Sequence, residues 1–118
     1  MRTHFMQEIW ERGTRAVLNQ VIAEALDGPD AVYLSIDIDV LDPSFAPGTG
    51  TQEPGGLAPV DLLRMVRQIA LDTNLVGMDV VEVAPPYDSA DITVNNAHRL
   101  IWEALAGMAV RRRDGRAE

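Results

Sequence analysis

The chain has 118 residues, 47 % of them apolar, which suits one small domain with a core and excludes wholesale disorder. Ten basic residues against eighteen acidic ones leave a net charge of −8, which argues against nucleic acid and against an anionic membrane surface, and suits a cation, a metal or a basic small molecule as ligand. There is no cysteine and no lysine, so disulfides, thiolate metal sites, a Walker-type phosphate loop and a Schiff-base lysine are excluded.

The first residues are followed by Gln7, Glu8 and Glu11 rather than by an apolar stretch. They are unlike a secretory signal, and no apolar run approaches the roughly 20 residues that span a bilayer. The expected compartment is the cytoplasm. Residues before Gln7 are a candidate extra strand. Val17, Leu18, Val21, Ile22, Ala25 and Leu26 give one apolar face to a helix over about 13–26, stopped by Gly28-Pro29. Residues 31–37 read as a short strand covered on both faces. Residues 39–59, rich in proline and glycine, form a long structured loop, and such loops are usually functional. Pro59 and Asp61 suit the first turn of a second helix, with Leu62, Leu63, Val66, Ile69 and Ala70 as its stripe. A second strand covers 75–83, and Pro85-Pro86-Tyr87-Asp88 is a loop. A last helix spans about 91–110, with Ala97, Leu100, Ile101, Ala104, Leu105 and Met108 facing inward. Residues 111–118 form a polar, frayed tail.

Strands alternating with helices imply a parallel sheet in an α/β arrangement. Two clear strands make a poor sheet, because buried parallel strands want neighbours on both sides. The chain therefore reads as the C-terminal part of a larger α/β domain rather than a complete minimal one.

The chemistry concentrates in Ser35-Ile-Asp37-Ile-Asp39-Val-Leu-Asp42-Pro43. Period-2 geometry places the Asp37 and Asp39 side chains together at the carboxyl end of a strand, where open α/β sheets carry their sites. Two carboxylates there repel unless a cation sits between them or one takes a proton. Hard oxygen donors suit magnesium, manganese or calcium; the alternative is a solvated, turn-forming Asp pair. An EF-hand loop fails because its sixth and twelfth positions would be Asp42 and Gly48. A haloacid-dehalogenase pattern is weak, with Leu41 misplaced and no lysine. The glycines form no dinucleotide fingerprint. Glu82 ends the second strand; taken by itself it reads as a strand-end salt bridge. Asp42 reads as a turn cap or an arginine partner, Glu53 as loop scaffolding and Asp79 as structural, being of opposite parity to Glu82. His98 reads as a hydrogen-bonded structural residue, nothing marks His4 as a ligand, and Trp10 and Trp102 suit core or subunit-interface anchors.

Ser35-Ile-Asp37-Ile-Asp39, Pro43, Pro47-Gly48 and Gly56 together resemble the signature of the ureohydrolases, the arginase–agmatinase family, with every fixed position filled. Residues 47–56 and 77–88 look like the agmatinase branch. The likeness runs from about Phe5 to Ala109. It implies a three-layer α/β/α ureohydrolase fold with a parallel sheet, present only as its C-terminal part, over residues 1–110. It implies that Asp37 and Asp39 are ligands of a binuclear Mn2+ centre and that Glu82 binds the guanidinium of a small guanidino substrate. The activity implied is hydrolysis of an agmatine-like compound to an amine and urea, in a homo-oligomer (a trimer or hexamer). Guanidinobutyrase and proclavaminate amidinohydrolase share much of the pattern. The family's other ligands, a His and an Asp-x-His-x-Asp motif, do not occur here, which leaves two expectations: a fragment inactive alone, or a non-catalytic remnant that acts only in assembly.

Overall fold

A computed structural model of the chain describes residues 2–115. A short helix α1 (Met6–Arg12) leads into α2 (Thr14–Ala25), strand β1 (Val32–Asp37), helix α3 (Pro59–Asp72), strand β2 (Leu75–Val81) and helix α4 (Ile92–Arg113), with 3-10 turns at Ile38–Val40 and Pro85–Tyr87. The two strands pair in parallel, with Leu34 opposite Met78, Ile36 opposite Val80 and Asp37 opposite Val81.

Alternation along β1 sends Val32, Leu34 and Ile36 to one face and Tyr33, Ser35 and Asp37 to the other. The first face meets α3 and α4 in a core of Ile36, Ile38, Leu62, Val66, Ala70, Leu75, Ala97, Leu100 and Ala104. The other face is exposed. Across it Tyr33 Oη and Ser35 Oγ donate to Asp79 at 2.9 and 2.6 Å. Gly77 makes this possible: a Cβ there would lie 2.9 Å from the Tyr33 ring.

Pro59 at the first turn and Asp61 beside it start α3, and the Thr73 hydroxyl closes its end on the Ile69 carbonyl at 2.7 Å. Helix α4 buries Thr93, Ala97, Leu100, Ala104 and Gly107. Most of these are small, so the two helices approach closely; a Cβ on Gly107 would stand 2.6 Å from that of Ala70. Arg67 and Arg99 both reach Glu103, at 3.0 and 2.6 Å.

Several sequence expectations are corrected here. The segment before Gln7 is not a strand. His4 lies between Glu8 (3.2 Å) and Glu24 (3.0 Å), and the Phe5 N–H donates to the Glu8 carboxylate, so local polar partners hold the segment. Strand β2 stops at Val81 rather than 83, because Glu82 turns into the left-handed region at φ 64°. Helix α4 continues through Arg111–Arg113, so these three residues are helical rather than part of a polar tail. Three guanidinium groups in a last turn complement the carbonyl end of the helix. Residues 116–118 of that tail lie outside the described residues. Ile101 and Leu105 face solvent, and the inner stripe runs through Thr93 and Gly107 instead. Trp10 and Trp102 are 66 % and 57 % exposed, so neither is a core anchor.

Gly107→Val should overpack the α3–α4 contact and lower stability by about 1–3 kcal/mol, read from the urea midpoint. The His4 clamp sets a pH dependence. Hydrogen bonds from Glu24 and then Glu8 raise the His4 pKa above 6.5, although its partial burial opposes this. The His4 hydrogen bond holds both glutamates below 4.5. The clamp is therefore complete between about pH 4.5 and 6.5 and is lost as pH rises through the raised histidine value. Urea midpoints should fall over that rise, and His4→Gln should remove this component.

Candidate active site at the carboxyl ends of the strands

Strand β1 ends on Asp37, and the chain turns at once into the 3-10 turn that carries Asp39. The Asp39 N–H donates to Asp37 Oδ1 at 3.2 Å. The expected same-side placement thus has a different cause. The strand pleat does not extend to Asp39; a side-chain-to-backbone turn brings the two carboxyl groups together. Glu82 arrives from the adjacent strand end, one residue beyond the Asp37–Val81 pair. Its positive φ is uncommon for a non-glycine residue and strains the backbone.

The effect of this grouping is seen at Asp39. Burial raises the Asp39 pKa first, followed by the charge and hydrogen bond of Asp37 and then the charge of Glu82. Asp37 and Glu82 remain exposed, while Asp39 is half-buried. This is a concentrated anionic corner.

The 39–59 loop is fixed around that corner from both ends. Leu41 and Leu57 form a parallel bridge, with the Asp42 N–H on the Leu57 carbonyl at 3.1 Å and the Leu57 N–H on the Val40 carbonyl at 2.8 Å. Gly56 permits it, since a Cβ there would sit 2.5 Å from the Asp42 nitrogen. The Asp42 carboxylate accepts from the Ser44 N–H at 2.9 Å and the Gly55 N–H at 2.8 Å. Hydrogen bonds from Ser44 and then Gly55 hold its pKa low. Asp42 is thus the loop's clamp, a capping role rather than a partner of arginine.

The loop's tip docks on the far side. The Gly48 N–H donates to the buried Thr93 Oγ1 at 2.7 Å, and the Gly48 carbonyl accepts from the Ala84 N–H at 2.8 Å. A Cβ on Gly48 would lie 2.6 Å from that of Asp88. Burial would raise the Asp88 pKa, but N–H groups of Val94, Thr93 and Ser89 outweigh it and hold the carboxylate ionised at the start of α4. The docking brings Gly50 beside the site, where a Cβ would meet Glu82 Oε2 at 3.9 Å. Thr93 and Asp88 were not singled out from the sequence as site supports. Their signal was the Pro47-Gly48 pair, whose partner lies 45 residues away from Gly48.

The remaining candidates sit elsewhere. Asp79 is held by Tyr33 and Ser35. His4 joins α1 to α2. His98 Nε2 accepts from Trp102 Nε1 at 2.6 Å on the exposed side of α4. Glu53 is exposed at the loop's outer turn.

Three hard-oxygen donors of like charge match a divalent cation in kind. Their arrangement does not by itself complete a metal site: among the described residues no group of three or more His, Cys, Asp or Glu side chains is placed to hold a metal ion.

A profile described as the arginase family matches residues 1–107. The chain belongs to the arginase family. It is 44 % identical over 100 residues to an agmatinase from Chromobacterium violaceum, covering 85 % of this chain and 30 % of that protein. Among solved structures it superposes on formimidoylglutamase from Bacillus subtilis with a TM-score of 0.85, at 38 % identity, over 89 % of this chain and 33 % of that one. Proclavaminate amidino hydrolase from Streptomyces clavuligerus gives the same TM-score and identity, over 100 % of this chain and 36 % of that one. The fold is therefore that of the arginase-type ureohydrolases, and the chain spans about a third of the length of these relatives. Equal likeness to two differently named enzymes means that the fold alone does not select a substrate.

Glu82→Gly should relieve the left-handed strain and raise stability by up to about 1 kcal/mol, measured by urea unfolding, while removing a carboxyl group from the corner.

Proposed function

We propose that this chain carries the carboxyl-terminal part of a manganese-dependent hydrolase that splits a linear, agmatine-like guanidino compound into an amine and urea. The observation that supports it is the placement of Asp37, Asp39 and Glu82 at one end of the sheet, where burial first, and then the neighbouring carboxyl groups, raise the Asp39 pKa. Asp37 and Asp39 would hold metal through carboxylate oxygens, with further ligands supplied from outside these residues. Manganese, when bound, supplies Lewis-acid activation of water.

Glu82 does different work in this reading. A guanidinium is planar and its charge is spread over three nitrogens, so one carboxylate can hold it by paired hydrogen bonds and fix its plane. A residue kept in a strained backbone conformation has its side chain aimed by the fold rather than by its own preference. The docked 39–59 loop stiffens the floor beneath it. Positioning of this kind favours reaction by limiting the orientations the substrate can take.

Guanidinobutyrase-like and proclavaminate amidinohydrolase-like substrates belong to the same reaction class. Family membership also supports a cytoplasmic homo-oligomer. A second reading, a non-catalytic chain that acts only in assembly, is favoured by the donor set of the described residues, which does not complete a metal site by itself.

The 118-residue chain with excess manganese should release no urea from guanidino amines; turnover equal to that of a full-length relative would overturn the fragment reading. In an enzyme of full family length carrying these residues, Asp37→Asn should lower manganese content. Glu82→Gln should keep the metal and reduce turnover roughly a hundredfold. Metal analysis beside a urea assay separates the two, and full metal loading in both variants would remove Asp37 from the ligand set.

A further inference from the structure

Glu82 is tied to the fold on both sides, and its left-handed torsion lies between the ties. Before it, Val81 is paired with Asp37. After it, only Val83 intervenes before Ala84, whose N–H donates to the Gly48 carbonyl at 2.8 Å. Pro85 narrows the backbone choices of Ala84, which sits at φ −118° and ψ 83°. A short link must therefore join a strand end to a fixed amide, and Glu82 takes the turn at φ 64°.

What fixes Gly48 lies at the start of α4. The Gly48 N–H donates to the buried Thr93 Oγ1 at 2.7 Å. A hydroxyl has one proton to give. With its oxygen accepting from Gly48, the Thr93 proton is left for the Asp88 carboxylate, to which the side chain also bonds. That carboxylate only accepts, and the N–H groups of Ser89, Thr93 and Val94 pin it at 2.9, 3.1 and 3.1 Å. Each bond in the series Asp88–Thr93–Gly48–Ala84 thus has a set direction. All are made within the chain, so none depends on what covers its outer surface.

We infer that Asp88 and Thr93 are positioning residues for Glu82. They hold Gly48, Gly48 holds the Ala84 N–H, and the short link back to β2 forces Glu82 out of the extended region. The inference rests on the proposed guanidinium role of Glu82 only in its bearing on turnover; the torsional coupling stands on these contacts. The competing holder of the torsion is Val83, which packs against the core.

A double-mutant cycle on the complete chain reads the coupling without substrate. Glu82→Gly should raise the urea midpoint of the parent. In the Thr93→Val background the same change should leave the midpoint unmoved, because the strain has already been released. Thr93→Ser keeps the hydroxyl and should restore the rise. Asp88→Asn puts an amide donor in place of an acceptor oxygen; it should abolish the rise as Thr93→Val does, and it decides the matter where Thr93→Val does not fold. A rise of equal size in every background would assign the torsion to Val83 and overturn the inference, as would no rise in the parent. In an enzyme of full family length carrying these residues, Thr93→Val should lower kcat/KM about tenfold with manganese content unchanged. Added to Glu82→Gln it should cause no further loss; an equal loss in both backgrounds would overturn the inference. A parent enzyme without guanidine hydrolysis would remove the proposed function and leave the midpoint cycle to decide the positioning role.

Discussion

Asp37 lies opposite Val81, and most of the molecule's chemistry follows from that single register. Parallel pairing brings both strands to their carboxyl ends at the same level. The next residues of each then emerge side by side, Asp39 from one and Glu82 from the other. A shift of one residue would turn Asp37 to the opposite face of β1, among the apolar residues that meet α3 and α4. Like charges gain nothing from one another, so the core must hold the strands in place. The apolar faces of β1 and β2 against α3 and α4 do so, with the small residues of α4 allowing the close helix contact.

The anionic corner opposes folding in two ways. Burial first, and then the charges of Asp37 and Glu82, raise the proton affinity of Asp39, and Glu82 takes a backbone conformation that most residues avoid. Neither would persist in a loose loop. The 39–59 segment is instead anchored by the Leu41–Leu57 bridge, the Asp42 carboxylate and the Gly48–Thr93 contact. Local strain kept in place by a rigid surround is characteristic of binding and catalytic sites. The spacing of Pro43, Pro47-Gly48 and Gly56 acquires a physical meaning here. Gly56 and Gly48 are places where no Cβ fits, one against the Asp42 nitrogen and one against Asp88.

Much of this was legible in the sequence. Apolar periodicity located α2, α3 and α4, Pro59 marked where α3 begins, and the signature residues identified the family. The points that differed share one cause: they depend on partners distant along the chain or on backbone torsions. No local pattern shows that Glu82 turns left-handed, so β2 was drawn two residues too long. Asp37 and Asp39 were expected to converge through strand alternation, but a turn does it, and i, i+2 spacing fits both. Periodicity placed Ile101 and Leu105 inside α4, whereas the side chosen by α3 is the one with Gly107 and Ala104. Trp10 and Trp102 read as core or subunit-interface anchors, and their exposure removes the first of these. Arg111–Arg113 looked like a tail on polarity alone, although charges of that sign complement a helix end.

The Tyr33–Gly77–Asp79 arrangement bears on the electric field at the corner. Asp79 lies on the same sheet face as Asp37, two residues before the end of β2, and would add a fourth negative charge along that surface. Two hydroxyl dipoles aimed at its oxygens disperse that charge within the sheet. The bare glycine beneath the tyrosine ring gives the phenol room to reach across the strands, so that both Asp79 oxygens are engaged by neighbouring hydroxyls, unlike the carboxyl groups at the tip of the strands.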